Sequence, residues 1–186
     1  MQSLNPTLWR TCRVLSGSTR LKLLRRLHDV PGQSVSELAG QVGIGVSDAS
    51  QELRRLQSRG LLQADHQGGR LIYRLGADPQ VSSAAPLLNA LKSAFARYPP
   101  EQDEAMAPIA TGLAHARRIA IAKVLMKSDL VSLALRTATR IPRGPLSRHL
   151  DTLSAGGWAR RNKRMLSFHV PTHPLARALS QLLQGP

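Results

Sequence analysis

Arg160-Arg161-Asn162-Lys163-Arg164 puts four cations into five consecutive positions with no carboxylate among them. Guanidinium and ammonium groups at that density have one dominant chemistry, the recognition of phosphate and other oxyanions. Just upstream, "GPLSRHLDTLSAGGW" (residues 144–158) places Leu146, Leu150 and Leu153 at steps of four and three. Such spacing predicts a helix with one apolar face. Arg143, Pro145, Ser147, Arg148 and His149 then fall on its outward, early positions, where a helix seated in the DNA major groove meets base edges. Arg148 suits guanine. A second stretch, "SDASQELRRLQSRGLL" (residues 47–62), has the same shape. Its Ser50, Leu53, Leu56, Gly60 and Leu61 each lie 97 residues before Ser147, Leu150, Leu153, Gly157 and Trp158. Here the outward set is Ser47, Asp48, Ser50, Gln51 and Arg54, followed by Arg70 and Arg74. Asp48 and Glu52 disfavour close phosphate contact.

The elements that must hold these groups are written twice. Leu38 pairs with Leu135 and Ile44 with Ile141; upstream the offset slips by one, so that Leu21, Leu23 and Leu27 pair with Ile119, Ile121 and Leu125, with Arg20 and Arg118 in one slot. Downstream the second copy reads as two residues shorter in a turn, pairing Tyr73 with Phe168 and Leu75 with Val170. Each copy reads as a first helix (Trp9, Leu15; Ile109, Leu113) and a second with apolar residues at helical spacing. In the first copy a third helix opens on Ser34-x-x-Glu37, a capping box in which each side chain satisfies the other's free backbone N–H. The fourth helix starts at Ser47 in one copy and at Gly144-Pro145 in the other. Gly60 and Gly157 suit the left-handed residue that closes a helix. Gln67-Gly68-Gly69 and Asn162-Lys163 are turn chemistry between short extended runs, each predicting a β-hairpin. A last helix carries Leu87, Leu88, Leu91, Phe95 and Tyr98, or Leu175, Leu179, Leu182 and Leu183. The acidic, proline-containing stretch from Pro99 reads as a linker.

Helix, helix, turn, helix and hairpin make a winged helix-turn-helix. The expected fold class is mainly α (α+β): two winged helix-turn-helix domains in tandem, at 1–98 and 108–186 with a linker at 99–107, each with a small β-hairpin wing and a C-terminal helix. On the second wing Arg160, Arg161, Lys163 and Arg164 face the nucleic-acid backbone. Arg25, Arg26 and Lys123 are expected on solvated faces.

Composition fits this reading. The 186 residues hold 26 Lys and Arg against 11 Asp and Glu, a net charge of +15. By sequence halves the excess is shared, +7 over residues 1–98 and +8 over 101–186. Such a surface attracts polyanions, nucleic acid first. Exposed aromatics for stacking single strands are nearly missing at 3% Phe, Trp and Tyr, which favours duplex DNA over RNA. No apolar run is long enough to span a bilayer, no secretion leader is expected, and Cys12, the single cysteine, points to a reducing cytoplasm.

Both copies resemble the ArsR/SmtB class of bacterial repressors. "STRLKLLRRLHDVPGQSVSELAGQVGIGVSDASQELRRLQSRGLLQADHQGGRLIYRL" follows that family's order, with an Arg-Leu-x-Leu-Leu helix, Ser-Glu-Leu-Ala, a Ser-x-x-x-Leu-x-x-Leu reading helix, a Gly-Leu exit and a wing ending in Tyr-x-Leu; "LSRHLDTL" is closer still. The resemblance implies transcriptional repression at an operator of two-fold symmetry, a bacterial cytoplasmic, nucleoid-associated protein, and terminal helices that self-associate. Because one chain owns two reading helices, an intramolecular pseudo-dimer through 87–98 and 175–183, aided by 8–15 and 106–113, is the expectation. The family's metal sensors carry a Cys-x-Cys-type pair before the reading helix. "SVSELAGQVG" and "VSLALRTAT" have no thiol, so neither metal nor cofactor is expected. His169 and His173 sit at a strand end and in "PTHP", where they need not converge. No glycine-rich phosphate loop, nucleophile elbow or carboxylate pair suggests an enzyme. The effector is unspecified. One alternative stays open: a structural or scaffold protein whose tandem winged helices bind other proteins in a chromosome or transcription complex.

Overall fold

A computed structural model of the chain describes residues 7–185; positions 1–6 and 186, the outer ends of the two expected domains, lie outside the described residues. In chain order the elements are α1 (Leu8–Leu15), α2 (Ser18–Asp29), β1 (Gln33–Ser34), α3 (Val35–Val42), α4 (Val46–Gln57), β2 (Leu62–Gln67), β3 (Arg70–Leu75), α5 (Ala84–Arg97), a 3-10 turn (Pro100–Ala105), α6 (Met106–Leu113), α7 (Ala116–Leu125), β4 (Leu130–Val131), α8 (Ser132–Thr139), α9 (Arg143–Ala155), β5 (Ala159–Asn162), β6 (Met165–Phe168) and α10 (Pro174–Gln184). The described residues are therefore mainly helical, with two small antiparallel sheets ordered β1-β3-β2 and β4-β6-β5. Two compact units emerge: Gly17–Glu104, and Leu8–Ser16 with the chain from Ala105 onward. Helix α1 packs on α6 inside the second unit, and the 3-10 turn, read from sequence as part of a linker, belongs to the first.

In the first unit, Leu21, Leu24 and Leu27 of α2, Leu38 of α3 and Leu53 and Leu56 of α4 are all fully buried. Helix α3 starts as its sequence dictates. Ser34 Oγ accepts from the Glu37 N–H, and the Glu37 carboxylate accepts from the Ser34 N–H at 2.7 Å. Arg25 corrects the sequence expectation of a solvated side chain. It is only 6% exposed, as is Asp103 on the 3-10 turn. Its Nε and Nη2 donate to the two Asp103 oxygens at 2.7 and 2.6 Å, and its remaining N–H groups donate to the Phe95 and Tyr98 carbonyls. The guanidinium also lies over the Phe95 ring, 4.6 Å from its centroid. The hydrogen bonds that Asp103 accepts raise the Arg25 pKa above its ordinary value. The acidic segment after α5 thus folds back to neutralise a charge that α2 buries. Arg26 and Lys123, by contrast, are exposed as expected.

The second unit is built around Trp158. The ring is fully buried, donates its Nε1–H to the Ile109 carbonyl at 2.8 Å, and stacks near Phe168. Leu146, Leu150 and Leu153 of α9 face this core at 3%, 4% and 1% exposure. Gly157 ends the helix at φ +76°, and the Trp158 N–H reaches back to the Leu153 carbonyl at 2.8 Å. Gly60, at φ +71°, and Leu61, bonded to the Leu56 carbonyl, repeat the closure after α4. Only a residue without Cβ adopts this conformation freely. Helices α4 and α9 begin at Val46 and Arg143, one residue before the sequence expectation, because Gly45 and Pro142 are held extended as the residues that precede the first turn.

Sheet register revises how the copies align. Tyr73 pairs with both Gln33 and Ala64; in the second sheet the residue in that place is Leu166, paired with Leu130 and Arg161. Leu166, not Phe168, is therefore the counterpart of Tyr73, and both are buried. The second hairpin has strands of four residues where the first has six. Losing two residues from each strand keeps every side chain on its original face, whereas losing one would flip the set.

Two predictions follow from this packing. Asp103→Ala leaves the buried Arg25 charge with only the more distant Asp29 carboxylate, 3.9 Å away, and is expected to cost about 3–5 kcal/mol in urea unfolding; a loss under 1 kcal/mol would show that the pair is solvated. A Cβ at Gly156 would stand 2.6 Å from the Pro108 carbonyl, whereas one at Gly40 in α3 meets nothing within 4 Å. Gly156→Ala should therefore destabilise by about 1–3 kcal/mol, and Gly40→Ala should stabilise by about 0.5–1 kcal/mol. Equal effects at the two positions would contradict the packing.

Candidate nucleic-acid interface

The inward leucines of α9 leave Arg143, Ser147 and Arg148 exposed on its first turns. The following hairpin exposes Arg160, Arg161, Lys163 and Arg164. None of these six cations forms an ion pair among the described residues. Arg143, Ser147 and Arg161 come together at one groove of about 400 Å³, floored by Leu146 and Leu150. The groove also holds Arg136 and Leu133 of α8, neither of which the sequence reading selected. Their signal was present: Leu133 and Arg136 stand three apart on α8, off the face marked by buried Leu135. No carboxylate lines the groove. Lys163 and Arg164 lie apart from it, at the hairpin tip, in a shallow hollow shared with Asp129. Lys163 itself takes a left-handed φ of +52°.

His149 is placed differently from its α9 neighbours. It is half-buried, with its ring 4.8 Å from that of His115. His115 caps α7, its Nδ1 accepting from the Arg117 N–H at 3.0 Å. Burial, then the cations Arg118 and Arg117 beside both rings, with Arg13 facing His115 and Arg148 facing His149, push both imidazoles below their ordinary pKa of 6.5. For His149 the neighbouring His115 ring also opposes protonation, second only to burial. Arg118 donates to the Gly112 and Thr111 carbonyls, closing the end of α6.

The first unit presents the same elements with different chemistry. Ser47, Gln51, Arg54 and Arg70 are exposed, and Ser50 and Arg74 are half-buried. Arg74 is held by Asp65 across the hairpin at 2.5 Å. Glu52, in the place His149 occupies in α9, binds both Arg20 and Arg55. Asp48 sits in the first turn of α4, where it complements the helix dipole.

Grouping residues by unit changes the charge balance read from sequence halves. Gly17–Glu104 holds 11 Lys and Arg against 9 Asp and Glu, a net charge of +2. The second unit, which gains Arg10 and Arg13 through α1, holds 15 against 2, a net charge of +13. The excess is concentrated in one unit, not shared.

Other candidate side chains are engaged locally. His169 Nδ1 is 2.9 Å from the Gly157 carbonyl, and His173 Nδ1 accepts from the Leu175 N–H at the start of α10. No three His, Cys, Asp or Glu side chains gather to hold a metal ion among the described residues. Cys12 is fully buried, and burial pushes its thiol up to about 12, so it stays protonated at neutral pH. No helix among the described residues is long and apolar enough to cross a membrane. Compared with known proteins, the chain matches no protein-family model, no curated protein and no solved structure.

The histidine pair generates a pH prediction. Both pKa values are lowered by folding, so below the ordinary value of 6.5 the unfolded chain binds more protons than the folded one. Stability should be complete above that value and fall as pH drops through it. Thermal unfolding followed from pH 7.5 to 5.5 should show this decline, and His149→Gln should flatten it. An unchanged slope in that variant would mean the decline arises elsewhere.

Proposed function

We propose that this chain is a sequence-specific DNA-binding regulator of transcription, a repressor, built from two winged helix-turn-helix units. In this reading α8 and α9 form the helix-turn-helix of the second unit, α9 enters the major groove, and the β5–β6 hairpin is the wing along the backbone. Helices α3 and α4 with the β2–β3 hairpin are the corresponding parts of the first. The single observation that carries the reading is the set of six cations, free of ion pairs among the described residues, on the first turns of α9 and its hairpin, in a unit of net charge +13. Electrostatic repulsion disfavours such a face unless a polyanion covers it. Resemblance of both copies to ArsR/SmtB repressors supports the same role, and implies a bacterial, nucleoid-associated protein. No catalytic step is assigned to any residue.

A second reading is favoured by a different observation. The first unit's matching face is nearly neutral; carboxylates engage its Arg55 and Arg74, while Arg54 and Arg70 stay exposed. That is the chemistry of a protein-interaction module, so a scaffold role fits this unit better than it fits the second.

Selection of bound fragments from genomic DNA, followed by fluorescence anisotropy on the enriched duplex, tests the regulator reading. With ~6–8 phosphate contacts, the logarithm of the affinity should fall against that of the salt concentration with a slope of about −5 to −7. Failure to enrich or bind any duplex at low salt ends this reading and leaves the scaffold role.

A further inference from the structure

The arginines of the second unit's groove have no counterparts in the first. Sheet register and helix starts put Arg136, Arg143 and Arg161 opposite Ala39, Val46 and Ala64. Three guanidiniums carried by three separate elements, α8, α9 and β5, therefore correspond to three uncharged side chains. The second unit's cations converge on a pocket without a carboxylate, with Leu133, 63% exposed, at its edge. A backbone phosphate flanked by its deoxyribose matches that combination, because charge meets the oxygens and the leucine covers the apolar sugar edge. The first unit has turned its carboxylates on its own cations instead: Glu52 on Arg20 and Arg55, and Asp65 on Arg74. Each such pair removes a cation from the field that a phosphate would meet, and Val46 offers a phosphate nothing.

We infer that the chain grips duplex DNA through its second unit alone, with Arg136, Arg143 and Arg161 clamping one backbone phosphate, while the matching face of the first unit stays off the nucleic acid. This rests on the regulator reading above and departs from the expected pair of half-sites read by the two copies. One chain then covers one continuous stretch of duplex.

The test uses the full chain and the enriched duplex, with circular dichroism to check that each variant is folded. Arg136 is exposed, so its loss leaves the core intact. Arg136→Ala should weaken binding about tenfold on every sequence and make the salt slope about one unit shallower, as expected for a lost phosphate contact. Arg161→Glu should weaken binding by about a hundredfold or more, and Arg70→Glu by less than about threefold. Hydroxyl-radical footprinting should show one continuous protected stretch. Comparable losses for Arg70→Glu and Arg161→Glu, or two protected stretches about one helical turn (~34 Å) apart, would overturn one-sided gripping while leaving the regulator reading in place. An Arg136→Ala chain with unchanged affinity and slope would overturn the clamp. A wild-type chain that binds no duplex sinks the regulator reading itself.

Discussion

Every exposed cation on α9 owes its direction to three leucines. Leu146, Leu150 and Leu153 bury at steps of four and three, and a helix has no freedom to turn once that stripe is seated. Burying a leucine side chain is worth about 1.5–3 kcal/mol each, far more than the self-repulsion of a few solvated arginines. Packing therefore decides orientation and charge follows. The same stripe sets the hairpin: Gly157 closes the helix, Trp158 drops into the core, and the next residue to emerge into solvent is Arg160. A core of leucines and one tryptophan thus aims seven of the candidate side chains.

That arrangement is shared by both units, so their difference lies in the side chains the stripe leaves outside. The slot held by Glu52 in α4 and His149 in α9 illustrates it. In the first unit Arg20 reaches across to Glu52, and the pair cancels. In the second, Arg118 faces an imidazole kept neutral by burial and neighbouring cations, so it turns to the carbonyls at the end of α6 instead. A single exchange of carboxylate for imidazole removes a negative charge from the candidate surface and frees a backbone-capping cation at once. Seven fewer carboxylates and four more cations separate the unit of +13 from the unit of +2.

What could be read from the sequence was what local physics determines. Helix faces, the Ser34–Glu37 capping box and the left-handed glycines at 60 and 157 each depend on residues within one or two turns of each other. What could not be read depends on distant partners. Arg25 looks like any charged residue on α2, and its burial depends on distant groups, Asp103, 78 positions away, and the Phe95 and Tyr98 carbonyls. That α1 belongs to the second unit is invisible to local pattern, because an amphipathic helix does not name the surface it covers. His149 falls on an outward step of α9, yet the turn bearing His115 reaches over it. Arg136 escaped notice because only the return of β5 beside α8 and α9 gives it company.

The regrouping of charge has a further physical consequence for how such a chain would meet a polyanion. A uniform +15 would attract DNA in any orientation and would leave the final pose to short-range contacts. A chain with nearly all its excess on one unit offers a polyanion one strongly cationic unit and one nearly neutral unit. The attraction of the cationic unit grows as it nears a duplex, within a Debye length of ~10 Å at 0.1 M salt. Encounter complexes are then pre-sorted, with the second unit leading, before any base edge is within hydrogen-bonding reach. The carboxylates that pair with cations of the first unit contribute to that contrast as well as the arginines of the second, since they lower the first unit's attraction for a polyanion. On the regulator reading, Glu52 and Asp65 are therefore part of how the chain finds its pose on DNA, although neither would approach a phosphate.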